Sequence, residues 1–304
     1  MNMKFAIAPG AWGIEDPANP DNPEWTRVLD DAGKSGFKGV ELGPYGYLPT
    51  DSVILQDELS SRSLKVVAGT IYDDLTGREN CDALLKKTHD ICRLVSKVNN
   101  ENDTIFLVII DAVKDIRNNT AGHPELAVRL EPDGWKIMME NIIDISIIAR
   151  NEYGVKPVVH PHAGGFIEFR DETEQLLNDI ASDKVGLCLD TGHLYYAGDD
   201  PAASLIDFAE RLEYVHFKDI NPDVFEIAVK QRMGFFDACN RGVMCSIGRG
   251  SVDYKAVFNA LDKLKYNEWI TIEQERDPKL WKGALDDVKL SYDFLSKTAG
   301  EIQQ

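Results

Sequence analysis

Residues 185–193 read VGLCLDTGH, an apolar run that ends in a carboxylate, a glycine and an imidazole. A run this short, with no polar alternation, fits a strand buried on both faces of a parallel sheet, and Gly192 marks its end. Seven similar runs surround it: KFAIAPG (4–10), KGVELG (38–43), KVVAGTIY (65–72), TIFLVIIDA (104–112), KPVVHPHA (156–163), EYVHFKDI (213–220) and EWITIEQE (268–275). Helical periodicity fills the intervals. In residues 81–98, Leu84, Leu85, Thr88, Ile91, Cys92, Val95 and Val98 share one face. Residues 134–154 repeat the pattern and close on Gly154, and 285–298 form the last helix. Strand and helix alternating eight times predict an α/β chain, an eight-stranded parallel (β/α)8 TIM barrel in a single domain over 1–304. An open doubly wound sheet would carry a glycine-rich turn after its first strand, and APGAWGIEDP has none.

With 43% apolar and 28% charged residues and no low-complexity tract, the chain has the composition of a packed core. A formal charge of −18 excludes nucleic acid and anionic membranes as expected partners, because both require a basic face. Five cysteines without C-x-x-C spacing indicate neither a disulfide framework nor a zinc ribbon, and reduced thiols point to a cytoplasmic protein. No stretch is long and apolar enough for a membrane span or a signal peptide. The longest insertion, about 221–250, includes FEIAVKQRMGFFDACNRGVMCS. It is too apolar for a free tip and is expected as a lid over the site or an interface in a homo-oligomer.

Side chains two apart on a strand share a face. On the last four strands this groups Val158, His160 and His162; Gly186, Cys188 and Asp190; Tyr214, His216 and Lys218; and Thr271, Glu273 and Glu275. The opposite faces carry Val159, Leu187, Leu189, Val215, Phe217, Ile270 and Ile272, the positions for packing against helices. All four polar sets fall at the C-terminal strand ends, where barrel active sites lie. Buried carboxylates need matching charge. Asp190 and Glu273 facing His216 and a fifth-strand histidine fit one divalent cation, for which Mn²⁺, Co²⁺, Fe²⁺ or Zn²⁺ suit the mixed oxygen and imidazole donors better than Ca²⁺. A salt-bridged polar plug without a metal is the plain structural alternative.

The motifs VVHPHAG (158–164), CLDTGHLYYAGDDP (188–201), YVHFKDI (214–220), IGRGSVDYKAVFNAL (247–261) and WITIEQERDP (269–278) resemble the xylose-isomerase-like barrels, also called the sugar phosphate isomerase/epimerase family. Within that family the chain looks most like the inosose (2-keto-myo-inositol) dehydratases. The resemblance implies one metal ion, with Mn²⁺ or Co²⁺ the first choice and Zn²⁺, Fe²⁺ or Mg²⁺ also compatible. It implies ligands His160 or His162, then Asp190, His216 and Glu273, with Glu168 as a further oxygen donor to consider. The family's ketose 3-epimerases carry a glutamate where this chain has His160, which favours a dehydratase over an epimerase. The three-metal DNA-repair endonucleases of the same barrel need histidines where this chain has Tyr72 and Asp111.

The implied chemistry is proton abstraction beside a carbonyl, by Glu273, His160 or His162, in a small-molecule keto-polyol or keto-sugar. His193 or Lys218 then protonates a departing hydroxyl. Return of the proton to carbon would instead give a ketose isomerase or epimerase, and a lyase acting on a 3-keto-glycoside is a further alternative. Glu41 is expected to bond a substrate hydroxyl or a neighbouring polar group. Trp12 and Tyr72 offer ring faces to a substrate or pack in the core, and Arg249 reaches over the mouth or lies on the surface. EQERDPKLW (273–281) lacks the glycine-rich turn of a barrel phosphate site, so the expected substrate is unphosphorylated.

Overall fold

A computed structural model describes residues 3–98 and 103–302. Its barrel strands are β1 (Lys4–Ile7), β2 (Gly39–Glu41), β3 (Lys65–Asp73), β4 (Phe106–Asp111), β5 (Lys156–Val159), β6 (Gly186–Asp190), β7 (Leu212–Phe217) and β8 (Trp269–Ile272). They close in the order β1-β8-β7-β6-β5-β4-β3-β2, all parallel. The seam pairs Lys4 to Ile7 with Trp269 to Ile272, so the first and last strands join without an open edge. Around them lie α1 (Trp25–Lys34), α2 (Ser52–Ser61), α3 (Cys81–Val98), α4 (Pro132–Tyr153), α5 (Arg170–Asp179), α6 (Pro201–Asp207), α7 (Tyr254–Lys263) and α8 (Ala284–Ile302).

Two apolar layers follow from the strand phase. Val159, Leu187, Leu189, Val215, Phe217, Ile270 and Ile272 face outward into the layer shared with the helices. Ala6, Ala68, Phe106, Val108, Val158, Cys188, Tyr214 and Trp269 fill the interior. Phe106 stacks on Tyr214 with centroids 4.4 Å apart, sealing the barrel below its polar mouth. The helices end as the sequence requires: Gly154 takes φ 66° to cap α4, a conformation that costs glycine little.

The strands stop sooner than the apolar runs do. Pro161 has no N–H to extend β5, which ends at Val159. Asp190 ends β6 because its Oδ1 accepts from Gly192 N and His193 N, at 2.7 and 2.8 Å, and so starts a short helix, Thr191–Tyr196. Residues 221–250 are built rather than loose. Helices Pro222–Gln231 and Phe235–Asn240 lie there, and Asp219–Ile220 pairs antiparallel with Met244–Cys245. No helix among the described residues is long and apolar enough to cross a membrane, and all five cysteines are free.

Candidate active site

At the C-terminal ends of β5 to β8, four side chains converge: His160, Asp190, His216 and Glu273. Glu273 N donates to Phe217 O at 3.0 Å and His160 N to Ile109 O at 3.0 Å, so both backbones continue the ladder. His160 Nδ1 lies 2.9 Å from Pro161 O, which assigns its proton to Nδ1 and leaves the Nε2 lone pair bare. Nε2 stands 3.4 Å from Glu273 Oε2 and 3.9 Å from Asp190 Oδ2. His216 Nδ1 is 3.1 Å from Glu273 Oε2, while its Nε2 bonds Glu41 Oε1 at 2.8 Å. Tyr214 donates to the same Glu41 oxygen at 2.7 Å. A histidine held by a carboxylate behind it is the arrangement that orients metal ligands.

The donor set passes a test for a cation on this structure alone. His160 Nε2 and Asp190 Oδ2 are buried atoms without a hydrogen-bond partner, and both face the common space. Such orphans are costly in a protein interior unless something absent from the polypeptide completes them. Burial holds the Asp190 carboxyl above its ordinary value, and it holds the His160 imidazole below its own, hence neutral and able to ligate.

Beside this group, His162, His193 and Glu275 form a second cluster. Its centre is claimed by the buried Lys218 ammonium, with Nζ 2.9 Å from His193 Nε2, 3.0 Å from Glu275 Oε1 and 3.3 Å from Glu273 Oε2. Burial opposes that charge, yet Glu273, Glu275 and Asp190 together raise the lysine well above its ordinary value. In return the Lys218 ammonium leads the interactions that overcome burial and bring Glu275 down to about 2. A second metal would therefore have to displace an ammonium. Gly192 permits this packing, since a Cβ there would lie 2.7 Å from Lys218 Cβ. His162 spends its Nδ1–H on Ala163 O at 2.9 Å, so its Nε2 carries a lone pair. Ala163 N donates to His193 Nδ1 at 3.1 Å.

Above the charges opens a cavity of about 650 Å³ whose lining includes Glu41, Tyr72, His162, Glu273 and Glu275. The helix Phe235–Asn240 supplies Phe235, Phe236, Cys239 and Asn240 to its wall. Phe235 packs edge-on against His162, with centroids 5.4 Å apart. Cys239 Sγ donates to Glu275 Oε2 at 3.2 Å, tying this helix to the charged floor.

Most of the residues singled out in the sequence meet here. His160 groups with Asp190, His216 and Glu273, whereas His162 sits with His193, Lys218 and Glu275. Glu41 lines the cavity but spends one oxygen on His216 and Tyr214. Three readings need correction. Trp12 is fully buried in the layer between sheet and helices, its Nε1 donating to Asp31 at 3.4 Å, and offers no face to a substrate. Arg249 is exposed and is not among the described cavity-lining residues. Asp219 accepts from Gly248, Gly250 and Val252 N and fixes the turn that carries Arg249. Glu168 is no partner of the four-residue group, because buried Arg117 pairs with it at 3.3 Å and Gly122 and Gly164 N take up its oxygens. Residues not anticipated on the cavity wall are Glu15, Tyr45, Phe236, Cys239 and Arg276. They come from connecting segments without a repeating phase. Glu275 was legible on the inward face of its strand run and proves to be the counter-charge of Lys218.

Comparison with known proteins adds four findings. The family described as xylose isomerase-like TIM barrel matches residues 29–297. An inosose dehydratase of Clostridium tetani (strain Massachusetts / E88) is 30% identical over 287 residues, covering 91% of each chain. Among solved structures, an L-ribulose 3-epimerase superposes with a TM-score of 0.72 at 16% identity, covering 99% of this chain and 96% of that one. The IOLI protein with a binding zinc atom superposes with a TM-score of 0.71 at 16% identity, covering 98% and 99%. At such identities the structural matches speak for the fold alone.

Proposed function

The chain belongs to the xylose isomerase-like TIM barrel family, and within it we propose a divalent-metal-dependent carbon–oxygen lyase that removes water from a keto-polyol of the inosose type. It is an enzyme of sugar-like substrates, as its relatives' names indicate. The observation that carries the metal is the pair of bare buried atoms, His160 Nε2 and Asp190 Oδ2, facing the space that His216 and Glu273 also face. That the IOLI protein, with the same fold, has a binding zinc atom is in keeping with a divalent ion. Two imidazoles and two carboxylates without a thiolate suit Mn²⁺ or Co²⁺, our first choice, as well as Zn²⁺, Fe²⁺ or Mg²⁺. When bound, the ion supplies Lewis-acid polarisation of a carbonyl oxygen.

The chain's own groups then divide the proton work. His160 and Glu273 are engaged in the ligand group, so we assign the α-proton to His162, whose Nε2 lone pair faces the cavity. Lys218 Nζ lies 2.9 Å from His193 Nε2, and an oxygen entering beside them accepts from the ammonium. Lys218 hands its proton to the departing hydroxyl while Glu273 and Glu275 keep the ammonium in place. Glu41 and Tyr214 hold the His216 ring at its angle. The Phe235–Asn240 helix excludes water as a lid. The substrate is read as unphosphorylated, and five free thiols fit a cytoplasmic setting.

Mass spectrometry of keto-inositol incubated with the enzyme and Mn²⁺ in D₂O tests this reading. Loss of one water supports the dehydratase. Deuterium uptake without water loss moves the same machinery to ketose isomerisation or epimerisation, the reaction type named for the L-ribulose relative.

A further inference from the structure

We propose that the ring held at this site carries an apolar, flat substituent through one of its oxygens, so that the substrate is larger than a bare keto-polyol. The inference rests on the polyhydroxy-ketone reading for the ring itself.

Size is the first reason. The cavity measures about 650 Å³. A six-carbon, six-oxygen ring displaces about seven waters, roughly 200 Å³ at ~30 Å³ each. Most of the space is left over after such a ring has reached the charged floor.

The make-up of that remainder is the second reason. Pro44, Tyr45, Tyr72, Phe236 and Pro278 bring apolar surface to the outer wall, between the charged and polar groups of Glu15, Asp16, Lys87, Asn240 and Arg276. A ring with a hydroxyl on every carbon would leave the apolar part of that wall uncovered, which is unfavourable.

The third reason is Phe236. Its neighbour Phe235 is 1% exposed and packs into the core, while Phe236 is 50% exposed and lines the cavity. Tyr72, also on the wall, is 41% exposed. Large aromatic faces left open inside a concave site are the mark of a ligand that covers them. Because each ring carbon already bears oxygen, the substituent is joined through oxygen, as an aryl ether of a keto-cyclitol or the aglycone of a keto-glycoside.

Calorimetric affinities of phenyl and methyl β-glucoside, which need no turnover, test this with the metal-loaded protein. The phenyl compound should bind about tenfold more tightly. Phe236→Ala should erase that advantage and leave the methyl compound unchanged. Tyr72→Ala serves as a second variant should Phe236→Ala fold poorly. Equal affinities, or a phenyl preference that survives both substitutions, would overturn the proposal. Water loss from keto rings is measured separately. Its absence would sink the dehydratase reading and leave the affinity ratio standing. Comparing aryl ethers of keto-inositol with aryl 3-keto-glycosides as reactants distinguishes the two sources.

Discussion

His160 and His162, two residues apart on one face, do different work because their neighbours differ. Asp190→Ala, Glu273→Gln and His160→Ala should each reduce bound metal, measured by elemental analysis, from about one ion per chain to a small fraction. His162→Ala should keep its metal and lose at least about a hundredfold in kcat. Full occupancy in His160→Ala together with loss in His162→Ala would reverse the assignment. Glu41→Gln, one bond behind His216, should weaken metal affinity about 10–100-fold. The His193 imidazole is held well below its ordinary 6.5, by burial first and then by its neighbours, the Lys218 ammonium among them. Only the unfolded chain protonates it near that pH. Its share of stability is thus complete above about pH 6.5 and is lost as pH falls toward the folded value. In metal-free protein the melting temperature should fall relative to His193→Asn between pH 7 and pH 5. A constant gap between the two would mean that the ring titrates alike folded and unfolded.

At the scale of elements, the loops after β4 and β5 are locked by Arg117, fully buried and paired with Glu168 and Glu172. Arg117→Leu leaves buried Glu168 without a cation and Glu172 with Arg129 alone, at a cost of about 3–5 kcal/mol, seen as a drop in melting temperature of roughly 6–10 °C. Glu168→Gln should leave metal content unchanged, and loss of metal there would restore it as a ligand. Period-two phase made the strands and their inward faces legible, and α3 matches its predicted bounds, Cys81–Val98. Contacts across the barrel were not legible. Glu41 meets His216 from 175 residues away, and no local pattern encodes that pairing. Nor did FEIAVKQRMGFFDACN show its two helices, because Phe235 and Phe236 face core and cavity from adjacent positions.

For the molecule as a whole, 51 acidic against 33 basic residues set up self-repulsion that salt screens. The melting temperature should rise between about 10 and 150 mM NaCl, whereas the KM for an uncharged keto-polyol should stay level. A KM that climbs steeply with salt would instead indicate an anionic substrate and undo the unphosphorylated reading. The four positions His160, Asp190, His216 and Glu273 also have a mechanical consequence, since they stand at the C-terminal ends of β5, β6, β7 and β8, four neighbouring staves of the cask. An ion gripped there acts as a hoop around one half of the circumference. The other half, β1 to β4, is held by apolar filling and by Tyr214 reaching across to Glu41. Adding metal should therefore slow amide exchange in β5 to β8 more than in β1 to β4, making this a barrel that stiffens from one side.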